Sequence, residues 1–288
     1  MSDQATNLRN IINKKEVITT SNNFKIFTVT SGKGGVGKSN FSANLALALN
    51  ECGKRVIILD ADFGLSNIDL ILGVRPKYNL AHVILEELPV KEIITHTPYG
   101  ISFISGGTGI KEMLFLDKFK LEQIAYEISE LSKLCDVLLI DTGAGINDTV
   151  IKFSEMADEI CLIITPDPSS ITDAYALLKT FTQDFMVNGS YNVVLNRVDT
   201  PAEGMSVFKK ISTVSASFLD INLKYTGYIP FDTQLIKAVK TGKPIYYINK
   251  DARSSIQYNN IAKKLLSIEQ ISNRKETLVD KLKRILVK

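Results

Sequence analysis

Val29-Thr30-Ser31-Gly32-Lys33-Gly34-Gly35-Val36-Gly37-Lys38-Ser39-Asn40 is the stretch whose reading decides the fold. Ahead of it stands a β-branched and aromatic run, Phe24 to Val29. Behind it lies Phe41 to Leu49, rich in Ala and Leu and free of helix breakers. The order is strand, glycine loop, helix. Glycines at 32, 34, 35 and 37 remove Cβ atoms that would hold the backbone away from phosphate oxygens, and they permit the positive φ angles of such a wrap. The helix that follows adds unpaired first-turn N–H groups and the positive end of its dipole. Gly32 through Ser39 satisfy G-x-x-x-x-G-K-[ST], so a nucleoside triphosphate is the expected ligand of the loop from Gly32 to Asn40. Lys38 is placed to reach the β and γ phosphates, and the Ser39 hydroxyl to ligate Mg²⁺.

Lys33 adds a second signal. A lysine inside the glycine turn is not demanded by phosphate cradling, and beside Lys38 it calls for more negative charge than one loop supplies. With these residues the chain resembles the deviant Walker A family of MinD, ParA and related ATPases, whose K-G-G-x-G-K-[ST] signature stands here as Lys33 to Ser39. In that family the signature lysine reaches across a dimer to the partner's nucleotide. The resemblance therefore implies an ATP-dependent homodimer and a P-loop NTPase fold of the SIMIBI class, α/β, with a mostly parallel central sheet flanked by helices on both faces.

Working outward, Arg55 to Leu59 reads as a buried strand running into Asp60-Ala61-Asp62. Acidic residues at the C-terminal end of a parallel strand sit where open α/β sheets bind ligands. The resemblance implies that Asp62 orients and polarises the attacking water while Asp60 supports the Mg²⁺ hydration shell. With Lys33 and Lys38 as the cations, this suffices for a reaction that is mainly positioning and charge stabilisation. Asp136 to Asp141 is a further apolar strand closing on an aspartate, with Thr142-Gly143-Ala144-Gly145 behind it. This has the form of a Walker B carboxylate that holds Mg²⁺ through water, followed by a loop free to rearrange when the γ-phosphate leaves.

Strands are expected at Gly100 to Ser105, Glu159 to Thr165, Tyr191 to Val198 and Lys224 to Ile229, with two short helices between Gly64 and Val90 and an amphipathic helix over Leu121, Ile124, Ile128 and Leu131. Such repeated β-α units imply a parallel sheet covered on both faces. Asn196 and Arg197 end one strand, and Pro230, Phe231 and Asp232 follow another. Groups beyond adjacent strand ends can read an adenine edge, which is their role in the family; ordinary loop residues are the alternative. His82 and His96 lack ligand spacing, so no metal site is expected there.

Composition bounds the rest. At 288 residues with 45% hydrophobic content, one large domain with appendages is enough. A net charge of +3 does not imply nucleic acid, and no specific nucleic-acid partner is expected. Cys52, Cys135 and Cys161 are scattered, with no C-x-x-C, and read as packing residues in a reducing cytoplasm. No signal-peptide core stands at the N-terminus, and no run approaches the ~20 apolar residues of a membrane span. The expected location is cytoplasmic, peripheral on the inner face of the cell membrane.

The two ends of the chain bear on its partners. Ala5, Leu8, Ile11 and Ile12 fall at helical spacing, so residues 1–13 form a helix that either docks on the domain or orders on a partner. Asp3, Gln4, Ala5, Leu8 and Arg9 match the D-Q-A-x-x-L-R segment of flagellar MinD-like ATPases of the FlhG type, also called FleN or YlxH. There it activates the GTPase FlhF. The D-T-G-A-G form at 141–145 resembles the same branch. At the other end, residues 273–288 place Leu278, Val279, Leu282, Ile285 and Leu286 on one arc, with Lys281, Lys283 and Arg284 outside it. A helix of this kind lies on anionic lipid or packs on a domain, and it resembles the membrane-targeting helix of MinD. Residues 14–23 read as a linker and 24–272 as the ATPase domain. The resemblance implies a membrane-associated regulator of flagellar number and placement that uses ATP and Mg²⁺, dimerises with ATP and acts with FlhF. Flagellar C-ring proteins or a flagellar transcription regulator are further partners of such proteins. A MinD-type division regulator, a ParA-like DNA segregator and an iron–sulfur carrier are the alternatives, the last requiring interfacial cysteines.

Overall fold

The computed structural model describes residues 24–63, 67–86, 88–107, 130–185, 187 and 189–268. The expected N-terminal helix, the linker, the C-terminal amphipathic helix and most of the helix expected around Leu121 to Leu131 lie outside the described residues.

An eight-stranded sheet organises the chain: β1 (Lys25–Thr30), β2 (Val56–Ala61), β3 (Thr95–His96), β4 (Ser102–Ile104), β5 (Val137–Thr142), β6 (Glu159–Ile164), β7 (Ser190–Val198) and β8 (Lys224–Pro230). Its spatial order is β3-β4-β2-β5-β1-β6-β7-β8. All pairings are parallel except β3 with β4. The seven expected strands are present within a residue or two at each end. The two-residue antiparallel edge strand β3 was not expected, being too short to carry a period. Strands β2, β5 and β6 are buried at every position, which is why they read as unbroken Val, Ile and Leu runs rather than alternating ones.

Helices cover both faces. On one lie α1 (Lys38–Glu51), α2 (Ile68–Leu72), α7 (Thr233–Lys240), α8 (Ile245–Ile248) and α9 (Arg253–Ile268). On the other lie α3 (Leu80–Leu85), α4 (Asp148–Met156), α5 (Pro168–Lys179) and α6 (Pro201–Leu219). Helix α1 is the centre of the first layer, with buried residues all round because the sheet lies beneath it and α9 above. Phe41 meets Tyr258 there at 5.8 Å between ring centroids. Each Leu or Phe buried in this layer contributes on the order of 1.5–3 kcal/mol. Side-chain caps start the surface helices where the sequence offers them: Asn147 for α4, Thr200 for α6 and Asp232 for α7.

Candidate nucleotide site

The parallel strands β1, β2, β5, β6, β7 and β8 point their C-terminal ends toward one edge, and the phosphate loop crosses that edge from β1 to α1. Gly37 precedes α1 at φ 98°, a left-handed conformation that a side chain would strain. A Cβ there would also strike Asn196 Nδ2 at 2.5 Å. Gly32 differs from the expectation: its φ is not positive, and a Cβ would collide with the backbone of α5, 2.1 Å from the Asp173 carbonyl carbon. Its missing side chain serves helix packing against the loop.

The cations lie in different settings. Lys38 is 7% exposed and donates from Nζ to Ser31 Oγ at 3.1 Å. Burial pulls its pKa down, opposed by the negative charges of Asp141 and Asp62. Ser31 Oγ in turn donates to the Lys33 carbonyl at 2.7 Å, and the Ser31 carbonyl accepts the Gly145 N–H at 3.0 Å. One serine thus ties the loop to the turn behind β5. Lys33 is half-buried and reaches to Ser169 on the first turn of α5, with Nζ 2.7 Å from Oγ.

Three aspartates converge on the same edge. Asp60 and Asp141 are register partners on β2 and β5, side by side and buried at 1% and 0% exposure. Burial first, then the Asp60 charge, push the Asp141 carboxyl up to about 7, against the pull of Ser39, Ser42 and Lys38. Asp141 Oδ1 accepts from Ser42 Oγ at 2.8 Å, while its Oδ2 is buried without a hydrogen-bond partner. The Asp60 carboxylate accepts backbone N–H groups of Asp62, Asn67 and Ile68 at 3.2, 3.2 and 3.3 Å. It therefore organises the chain into α2. Asp62 is half-buried and faces a cleft of about 480 Å³ lined by Ala61, Phe63, Gly143, Asn147, Asp148 and Thr149.

The residues expected at the base are brought to the same edge, where the Asn196 and Asp232 side chains are engaged with the protein. Asn196 Nδ2 donates to the Val36 carbonyl at 2.6 Å, and its Oδ1 accepts the Arg197 N–H at 3.0 Å. Arg197 is exposed, with the left-handed φ of 59°. Asp232 caps α7 through the Gln234 N–H at 2.9 Å and accepts both N–H and Oγ–H of Ser254, at 3.1 and 2.8 Å. Burial alone would raise its pKa, but the Ser254 and backbone donors outweigh it and hold the carboxyl below its ordinary value. Pro230 is buried in β8 and Phe231 is half exposed. Ser42 was missed by the sequence reading. It stands one helical turn beyond Ser39, and that i, i+3 spacing was the available signal.

The histidines have local partners: His82 closes a capping box with Asn79, and His96 Nδ1 lies 2.9 Å from Ser102 Oγ. Cys135 and Cys161 are fully buried in different core clusters. Burial pushes both thiols up, Cys135 to about 12.

A family model described as "ParA: NUBPL iron-transfer P-loop NTPase" matches residues 22–266. The antiactivator FleN of Pseudomonas aeruginosa is 38% identical over 84% of this chain and 86% of its own length. The flagellum site-determining protein YlxH of Helicobacter pylori is 36% identical over 93% and 91%. The cell division ATPase MinD of Pyrococcus furiosus superposes with a TM-score of 0.71 at 23% identity, over 85% of this chain and 99% of its own. MinD of Pyrococcus horikoshii, solved with Mg-ADP, gives 0.70 at 22% identity over 87% and 100%. The loop from Gly32 to Ser39, the strand-end aspartates and these matches place the chain in the ParA/MinD family of P-loop NTPases, enzymes that hydrolyse ATP.

Proposed function

We propose that this chain is an ATP-driven regulator of flagellar number and placement, dimeric with ATP, peripheral on the inner face of the cell membrane and acting with the GTPase FlhF. The observation that carries the flagellar reading is its similarity to FleN and YlxH, at 38% and 36% identity, against 30% for MinD of H. pylori. The D-Q-A-x-x-L-R match at residues 3–9 and the apolar arc and basic residues at 278–286 support the FlhF and membrane parts of the proposal.

The geometry of the site supports the chemistry assigned to it. Lys38 sits behind the phosphate loop, where its ammonium would meet β and γ oxygens in place of the Ser31 hydroxyl. Asp62, open to the cleft, is the carboxylate able to hold and orient a water. The buried, unpartnered Oδ2 of Asp141 and the neighbouring Ser39 hydroxyl form an all-oxygen donor set that fits Mg²⁺ through water. When bound, Mg²⁺ would neutralise phosphate charge. Lys33 is the residue assigned to a second copy's nucleotide. Its hold on Ser169 is one hydrogen bond at the surface, about 0.5–1.5 kcal/mol, readily exchanged for a phosphate.

The test measures GTP turnover by FlhF with the full chain and with the chain lacking residues 1–13. Stimulation by the first alone is expected. Equal turnover in both, with intact ATP hydrolysis, would redirect the reading to a MinD-type division regulator. Co-sedimentation with vesicles containing anionic lipid should in addition require ATP, and equal sedimentation with ADP would remove the coupling of membrane binding to dimerisation.

A further inference from the structure

Residues in register on neighbouring parallel strands project to the same face of a sheet, so Asp60 and Asp141 both rise toward the face covered by α1. There α1 presents Ser39 and Ser42 one turn apart. Ser42 is fully buried, and a serine inside a helix usually turns its hydroxyl back to its own helix's carbonyls. This one instead crosses to β5 and donates to Asp141 Oδ1 at 2.8 Å, leaving Oδ2 buried and without a partner.

We infer that Ser42 is a positioning residue for Asp141: it occupies one carboxylate oxygen, fixes the side-chain torsion, and so dedicates the other oxygen to the hydration shell of a nucleotide-bound Mg²⁺. The inference rests on the Mg-nucleotide reading of the site and adds to it a residue outside the glycine-loop signature. Without the Ser42 donor, Asp141 is left beside the Asp60 carboxylate with only the Ser39 hydroxyl as a neighbouring side-chain donor. The cation acting on Asp141 is then the Lys38 ammonium. A carboxylate turned toward Lys38 serves neither metal nor phosphate.

Calorimetric titration of the full chain with ADP, in Mg²⁺ and in EDTA, separates this from a packing role. For Ser42→Ala, affinity in EDTA should stay within about twofold of the parent, while the gain conferred by Mg²⁺ should fall about 10- to 100-fold, as for partners that orient metal-site carboxylates. In an Asp141→Asn background, Ser42→Ala should change the Mg²⁺ gain no further, because the carboxylate it positions is gone. A Ser42→Ala protein with the full Mg²⁺ gain, or one that loses the same factor in EDTA, overturns the assignment. A parent protein indifferent to Mg²⁺ overturns the underlying reading instead, and the inference with it.

Discussion

The phosphate half and the base half of the nucleotide-facing edge use similar residues to opposite ends. On the phosphate side, over β1, β2 and β5, three groups keep spare capacity beside an engaged Asp60: Asp141 Oδ2 has no partner, Asp62 faces an open cleft, and Lys38 holds a single hydroxyl. On the base side, over β7 and β8, the Asn196 and Asp232 side chains are engaged. Asn196 is tied to Val36 and Arg197, and Asp232 to Gln234 and Ser254. Polar residues at strand ends therefore differ in how far the protein itself engages them. On the proposed reading, Asn196 and Asp232 beside β7 and β8 build the wall on which the loop rests, and Lys38, Asp62 and Asp141 Oδ2 are the groups offered to the ligand.

The sharpest way to break this contrast is Lys38→Ala, which should lower ATP affinity about 100-fold or more through the loss of charge-assisted hydrogen bonds at roughly 1.5–3 kcal/mol each. Fluorescent-nucleotide binding measures it; affinity near that of the parent would remove Lys38 from the ligand side. Next comes Asp62→Ala. It should bind ATP normally and form a light-scattering dimer, yet turn over about 100-fold more slowly, the size expected for a lost water-orienting carboxylate. A monomer at saturating ATP would contradict that role.

The base side should answer in stability. Asp232→Ala removes a helix cap and strands two Ser254 donors, a loss of about 2 kcal/mol, or roughly 4–8 °C in the melting temperature of nucleotide-free protein. A variant that melts like the parent and loses ATP affinity would reverse the assignment and return Asp232 to the ligand. The last effect is in pH dependence. Because the Asp141 carboxyl rises from 3.8 to about 7 on folding, the native state keeps a proton that the unfolded chain has released between those values. Its contribution to stability is therefore present below the lower value and is lost as pH rises through the upper one. Relative to the parent, Asp141→Asn should gain about 5–10 °C between pH 5 and pH 8 in nucleotide-free thermal melts, at about 1.4 kcal/mol per pH unit up to the upper value. A gap independent of pH would mean that Asp141 is ionised throughout.

Much of this contrast is invisible in the residue types. The phosphate loop, the strands and the acidic strand ends were legible because each is a local pattern: a glycine spacing, an apolar run, an aspartate after the run. Whether Asn196 meets a base or the Val36 carbonyl depends on how β7 is placed beside the glycine loop, 160 positions away in sequence. Asp60 is a similar case. Its position at the end of β2 could be read, but its three backbone donors come from the turn into α2, which no period announces. Ser42 lies outside the signature, which stops at Ser39, and only its i, i+3 spacing from that residue points to the same site. The edge strand β3 has two residues, too few for alternation to show.

Gly32 carries a consequence for the history of such chains. Its side-chain position is taken up by the backbone of α5, so the constraint on it acts whether or not nucleotide ever binds. A descendant that abandoned ATP would be free to lose Lys38 and Asp62 within a few mutational steps. It would still be held to glycine at position 32 by the helix behind the loop. The first letter of the signature is therefore a marker of ancestry, and a decayed relative should be sought by what its architecture forbids before what its chemistry requires.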